Sequence, residues 1–241
     1  MTTATPNHHI PHVEAIHSGD WAWLGATAGS TADRFYVSAA GDWLGAVNSR
    51  YVDEMLDDTL PEQVLKFYLI QDFKFFNAGL LDHIIELAPR QETKAMLLRQ
   101  QEFFASEEAP YFRGFLKAYS ITDEEYERTP QTPANKEYCD ELARLRASDS
   151  FGETITALCC MEWVYLGWAK RTVDAGVTQQ VPAHKGWVDL HEGEGFRRWV
   201  GDLIALVNEY ADPDPDGPDA KVFRNVTRLE RLFFEQSYDM A

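Results

Sequence analysis

From Thr59 to its C-terminus the chain is punctuated as helices and nowhere as strands, and this constrains its fold more than any other feature. Thr59 followed by Glu62 has the form of a capping box, with Pro61 early in the helix, where a missing N–H costs little. From Glu62 to Leu87, the residues Leu65, Tyr68, Leu69, Asp72, Phe75, Phe76 and Gly79 recur near one face at 3–4 spacing, and Pro89 ends the run. A second helical stretch is expected from Thr93 to Tyr119, bent at Pro110, followed by a short helix that the Thr122–Glu125 capping box opens. Pro133 begins another helix, reaching Ala147. Residues 151–174 read as the most apolar helix, with Ile155, Leu158, Met161, Tyr165 and Trp168 along one stripe and Gly176 as its stop. A helix from His191 to Tyr210 and a last one from Ala220 flank the acidic, proline-rich loop at Asp212–Asp219. About seven helices without strand alternation or internal repeat predict one all-α helical bundle.

Residues 1–45 lack this punctuation. They hold His8, His9, His12 and His17, with Trp21, Trp23 and Trp43 as aromatic islands. The expected organisation is an N-terminal arm, residues 1–45, packing on the bundle by its tryptophans, and a helical domain over residues 46–241. A metal-binding histidine tract is the less favoured alternative.

Composition narrows the functional classes. The 241 residues are 45% hydrophobic and 13% aromatic, ample for the core of one domain. With 22 Lys+Arg against 39 Asp+Glu the formal charge is −17, which argues against nucleic acid as a partner, since phosphate recognition needs clustered cations. No apolar run approaches the roughly 20 residues that span a bilayer, and MTTATPNHHIPH contains no signal-type apolar stretch. Three cysteines (Cys139, Cys159, Cys160) make no disulfide framework, so a reduced, cytoplasmic location is expected and the Asn225-Val-Thr sequon reads as accidental.

Three carboxylates stand among apolar neighbours on different helices. Asp72 lies with Tyr68, Leu69, Phe75 and Phe76; Glu162 lies between Leu158 and Tyr165; Glu230 lies between Val226 and Phe233. A buried acid must be paired, hydrogen-bonded or protonated. The bland reading is an inter-helix hydrogen bond at each. The functional one is general acid–base chemistry in the interior of a bundle. A di-iron centre would need Glu-x-x-His pairs, but Leu80 stands three residues before His83 and Val188 three before His191, while His184 falls in a proline-flanked loop. No metal is expected. Cys159 and Cys160 read as small buried residues rather than nucleophiles.

Three stretches in register resemble the TenA/THI-4 family: Phe67-Tyr-Leu-Ile-Gln-Asp-Phe-Lys-Phe-Phe76; Ala157-Leu-Cys-Cys-Met-Glu-Trp-Val-Tyr165 with Gly167; and Arg228-Leu-Glu-Arg-Leu-Phe-Phe-Glu-Gln-Ser-Tyr238. The resemblance covers about residues 45 to 241. It implies a bundle of the haem-oxygenase-like class without haem or another cofactor, forming a homo-oligomer (dimer or tetramer). It also implies thiaminase II-like hydrolysis of a small-molecule aminopyrimidine in thiamin metabolism. Met161 stands where one branch of that family has a cysteine, and Cys160 is one position off, a rotation of about 100° on a helix. The chain therefore resembles the branch lacking that cysteine, with Glu162 as the polar residue offered instead.

Carried over by resemblance, Asp72 binds the pyrimidine, Tyr138 and Tyr165 are pocket tyrosines, and Glu230 is catalytic. Phe75 and His191 stand where the cysteine branch has tyrosines. The expected reaction is hydrolysis of aminomethyl- or formylaminomethyl-pyrimidine to hydroxymethylpyrimidine. Glu162 and Glu230 are the acid–base pair, Asp72 holds the exocyclic amine, and Phe75, Tyr138 and Tyr165 sandwich the ring. The alternatives are another reaction on the same fold, such as cofactor-free quinone biosynthesis or oxidation, and a non-catalytic protein that binds an aromatic ligand.

Overall fold

The computed structural model describes residues 10–76 and 79–239, without the side chains of residues 75–76 and 107–108. Thirteen α-helices and no strand occur among the described residues. They are α1 (Thr31–Ser38), α2 (Ala40–Val47), α3 (Arg50–Leu56), α4 (Glu62–Phe76), α5 (Leu80–Leu87), α6 (Gln91–Phe103), α7 (Ala109–Ala118), α8 (Asp123–Arg128), α9 (Pro133–Arg146), α10 (Phe151–Ala175), α11 (Pro182–Glu192), α12 (Glu194–Tyr210) and α13 (Pro218–Glu235). The all-α bundle expected from the punctuation is what the chain forms.

The axis of the bundle is α10. Ser150 caps it by accepting the Glu153 N–H at 3.1 Å, and Gly176 ends it in the left-handed conformation at φ +65°. Its 25 residues run about 37 Å, and Trp163 and Trp168 on it are fully buried. It packs most extensively on α12 and α13, and also touches α2, α5, α9 and α11. One face is therefore free to meet α5 and α11, and there the cavity opens.

Four boundaries differ from the sequence reading, each for a local reason. The run from Glu62 to Leu87 is two helices, because Gly79 adopts φ +70° and a left-handed residue cannot continue a right-handed helix. Gly79 is thus a break and not a member of the α4 face. The bend expected at Pro110 is a π-helical turn over Phe104–Glu108 between α6 and α7, which widens the helix just before the proline whose N–H is missing. His191 belongs to the last turn of α11 instead of opening the next helix, since Gly193 separates α11 from α12. Thr59 makes no cap to Glu62; its hydroxyl turns back to the Glu54 carbonyl. Thr122 does cap α8, accepting from the Glu125 N–H at 3.1 Å.

Residues 10–47 contain α1 and α2, and Ile10, Phe35 and Trp43 from this part sit in the main core. His8 and His9 lie outside the described residues, whereas His12 Nε2 meets Asp53 Oδ2 at 2.7 Å. No described helix is long and apolar enough to cross a membrane.

Candidate active site

One face of α10 presents Leu158, Met161, Glu162 and Tyr165, at the i, i+3, i+4, i+7 spacing of a helical stripe, to a cavity of about 330 Å³. Asp72 of α4 enters from one side, and Trp187 and His191, one turn apart on α11, close another. Leu80 and Leu81 of α5 and Phe104 of the π-helical turn complete an apolar wall. The wide π turn therefore sits on the cavity rim.

Asp72 is held in place by its neighbour. The Gln71 side chain donates to the Pro130 carbonyl at 2.8 Å and accepts the Thr132 N–H at 3.1 Å, while its backbone carbonyl accepts from Asn135 at 2.7 Å. These three bonds tie α4 to the start of α9, so the next side chain has little freedom. Asp72 is 4% exposed, and burial together with its charge pushes the hydroxyls of Tyr51, Tyr68 and Tyr165 well above their ordinary range. Those hydroxyls are neutral at any working pH. Tyr68 and Tyr165 share a 2.6 Å hydrogen bond, and Tyr51 stacks on Tyr68 at 4.3 Å.

Glu230 and Tyr138 form a second buried centre. Tyr138 Oη donates to Glu230 Oε1 at 2.5 Å, bridging α9 and α13. Glu230 is fully buried, and Oε2 has no hydrogen-bond partner among the described residues. Burial pushes its pKa up to about 8, against the lowering effect of the Tyr138 bond. The acid is therefore protonated at neutral pH. Neither Glu230 nor Tyr138 is among the residues lining the cavity, although Glu230, when ionised, raises the hydroxyl of Tyr165, which is.

Of the site residues read from the sequence, Asp72, Glu162, Tyr165 and His191 share one cavity, and Tyr138 and Glu230 are paired next to it. The expected ring contact of Phe75 falls outside the described side chains. Cys160 is turned away, its Sγ 3.1 Å from Thr227 Oγ1 on α13, while Met161 faces the cavity. Burial raises both the Cys159 and Cys160 thiols, which disfavours the thiolate. Among the described residues no group of three or more His, Cys, Asp or Glu is placed to hold a metal ion.

Sequence reasoning missed Trp187 and Tyr68 as parts of the site. Tyr68 entered only as a neighbour of Asp72, and Trp187 lies in no motif. Only the bond from Tyr68 to Tyr165, 97 residues away, reveals the connection.

The chain was compared with known proteins. A model of the TENA/THI-4/PQQC family matches residues 39–240. The chain is 24% identical over 208 residues to an aminopyrimidine aminohydrolase of Bacillus subtilis, covering 85% of this chain and 86% of that one. It is 21% identical over 213 residues to an aminopyrimidine aminohydrolase of Helicobacter pylori, covering 84% and 96%. Among solved structures it is similar to a TenA homologue from P. horikoshii, with a TM-score of 0.76 at 22% identity over 88% of this chain and all of that one. A TenA-like thiaminase structure from Sulfolobus solfataricus gives 0.73 at 17% identity, over 85% and 94%.

Proposed function

The chain belongs to the TENA/THI-4/PQQC family, and we propose that it is a thiamin-salvage hydrolase. It releases hydroxymethylpyrimidine from aminomethyl- or formylaminomethyl-pyrimidine. The observation that carries the reading is one cavity lined by two carboxyl groups, Asp72 and Glu162, together with the aromatic Tyr165 and Trp187. An aminopyrimidine has a flat face to stack and an amidine-like edge to hydrogen-bond, and the wall offers Tyr165 and Trp187 for the first and Asp72 for the second.

In the amine reaction the methylene C–N bond breaks and a C–O bond to water forms. The departing nitrogen gains one proton and leaves as ammonia, and the water loses one. Glu162, on the cavity wall, takes the proton from water. Glu230, paired with Tyr138 beside the cavity and not on its lining, is the acid, kept protonated at neutral pH by burial. Each proton transfer is typically worth about 10²–10⁴-fold. Asp72 holds the exocyclic amine, and Tyr165 and Trp187 flank the ring.

The reading needs no cofactor. It places the chain in the branch without the active-site cysteine, supported by Met161 on the cavity wall where a thiol would be required. A reduced cytoplasm suits the three free cysteines, and a homo-oligomer, supported by family resemblance, is checked by light scattering.

The test is incubation of the chelator-treated protein with aminomethyl-pyrimidine, formylaminomethyl-pyrimidine and thiamin in parallel, followed by mass spectrometry. Hydroxymethylpyrimidine from either breakdown product, with thiamin intact, supports the reading. Rapid thiamin cleavage overturns the assignment to the cysteine-lacking branch, and no product from any of the three overturns the enzyme.

A further inference from the structure

We propose that His191 is the specificity-determining residue of this cavity: its Nε2 is a fixed hydrogen-bond acceptor that selects a substrate carrying N–H groups and sets the amine above the formamide. The inference rests on the aminopyrimidine reading and names which of its two substrates is preferred.

The geometry fixes the polarity of the ring. His191 Nδ1 lies 2.8 Å from the Trp187 carbonyl oxygen. A carbonyl only accepts, so Nδ1 carries the hydrogen. A neutral imidazole has one such hydrogen, which leaves Nε2 as a bare lone pair. That hydrogen bond holds the ring in this orientation. Trp187, Tyr165, Phe196 and Trp168 surround it at ring separations of 4.5, 4.8, 5.1 and 5.6 Å. Burial also drives its pKa down to about 4, so the ring stays neutral across the working range.

Acceptors also predominate over the rest of the wall. No lysine or arginine is among the described lining residues. Tyr165 shares a hydrogen bond with Tyr68 in which either hydroxyl can donate, and one Gln101 amide hydrogen goes to Asp82. Asp72 and Glu162 contribute carboxyl oxygens. An aminomethyl group brings two or three N–H donors and suits such a wall. A formylaminomethyl group brings one N–H and a carbonyl oxygen, and that oxygen is repelled by the lone pair at His191 Nε2. A site that leaves a buried polar group unpaired rejects that ligand.

The test compares kcat/KM for the two substrates in the wild type and in His191→Phe, which keeps an aromatic ring but removes the acceptor. The amine is expected to be favoured about 10- to 100-fold in the wild type. In H191F the ratio falls towards one through loss on the amine alone. Equal use of both substrates by the wild type, or a proportional loss on both in the variant, overturns the inference and leaves the hydrolase reading standing. Calorimetric titration with each compound separates the other case: if the wild type binds neither, the aminopyrimidine reading falls and takes this inference with it. The wild type also supplies a readout free of any folding defect. Long-range proton–nitrogen correlation of histidine-labelled protein is expected to show the Nδ1–H tautomer at neutral pH, with the Nε2 resonance moving on addition of the amine. An Nε2–H tautomer or an imidazolium overturns the proposal.

Discussion

At the scale of single residues, Glu230 is the group whose chemistry and cost are most tightly joined. Its Oε2 is buried without a partner among the described residues, an arrangement that a purely structural acid would avoid, because an unsatisfied buried group costs about 1–3 kcal/mol. Glu230→Gln keeps the shape and an oxygen to accept from Tyr138 but removes the acid. It is expected to lower kcat about 10²–10⁴-fold with substrate affinity unchanged, as read by steady-state kinetics and calorimetry. A variant with unchanged kcat would leave Glu230 as an inter-helix hydrogen bond only. The same burial sets a pH dependence of stability. The folded pKa, about 8, lies above the ordinary 4.5, so the native state holds a proton that the unfolded chain releases, and stability falls as pH rises between those values. His191 acts in the opposite sense. Its folded pKa of about 4 lies below the ordinary 6.5, so its contribution is full above 6.5 and lost as pH falls towards 4. The two slopes oppose each other below pH 6.5, and only that of Glu230 remains from 6.5 to 8. Urea unfolding across that window is expected to show stability declining by at most about 1.4 kcal/mol per pH unit, with the decline absent in Glu230→Gln. The three acids were legible in the sequence because each sits among apolar neighbours. The Tyr138–Glu230 pair was not, since a contact across 92 residues leaves no mark on local spacing.

At the scale of elements, the cavity depends on where α11 begins. Asp58 sits at φ +58°, a left-handed conformation that a non-glycine residue seldom adopts. From there it reaches the start of α11. It accepts the Gln180 N–H at 2.5 Å, the Val181 N–H at 3.2 Å and His184 Nδ1 at 3.0 Å. It is a cap supplied from 122 residues away, and α11 carries Trp187 and His191. Asp58→Ala is expected to destabilise the fold by about 1–2 kcal/mol, in line with loss of a cap, and to raise KM more than it lowers kcat, because the α11 wall loosens while the acids stay in place. Asp58→Asn, which retains an acceptor and tolerates positive φ, is expected to recover most of both. Thermal melts and steady-state kinetics check this, and equal kcat losses in both variants would refute it. The helices that could be read were those whose stops are local chemistry: Thr122 at the start of α8, Ser150 and Gly176 around α10. Gly79 was read as part of a helix face because its spacing fits one, whereas its φ of +70° is imposed by the path into α5. The helices α1 and α2 escaped detection because eight residues make barely two turns, too short a window for an apolar period to stand out.

At the scale of the whole molecule, the question is what holds the N-terminal part to the bundle. We propose that residues 1–45 act as an arm and that Arg171 of α10 is its clasp. The Arg171 side chain is 4% exposed. Its guanidinium donates to the Pro11 carbonyl at 3.0 Å, the Ile10 carbonyl at 3.2 Å, the Val47 carbonyl at 2.7 Å and Asp53 Oδ1 at 2.8 Å. Asn48 adds a pair of 2.9 Å bonds to the Val13 backbone. A buried cation in a chain of charge −17 is stable here only because all four acceptors surround it. Lysine offers its donors from a single point and cannot span four acceptors arranged around a planar fork. Arg171→Lys is therefore expected to destabilise the protein by about 2–4 kcal/mol in urea unfolding. Removing residues 1–13 takes away two of the same acceptors, so the two changes draw on one interaction. The double variant is expected to lose clearly less than the sum of the single losses, a coupling of about 1 kcal/mol or more. Strict additivity would mean that Arg171 braces only α2 and α3, and that the arm is held by Ile10 and its other apolar contacts instead.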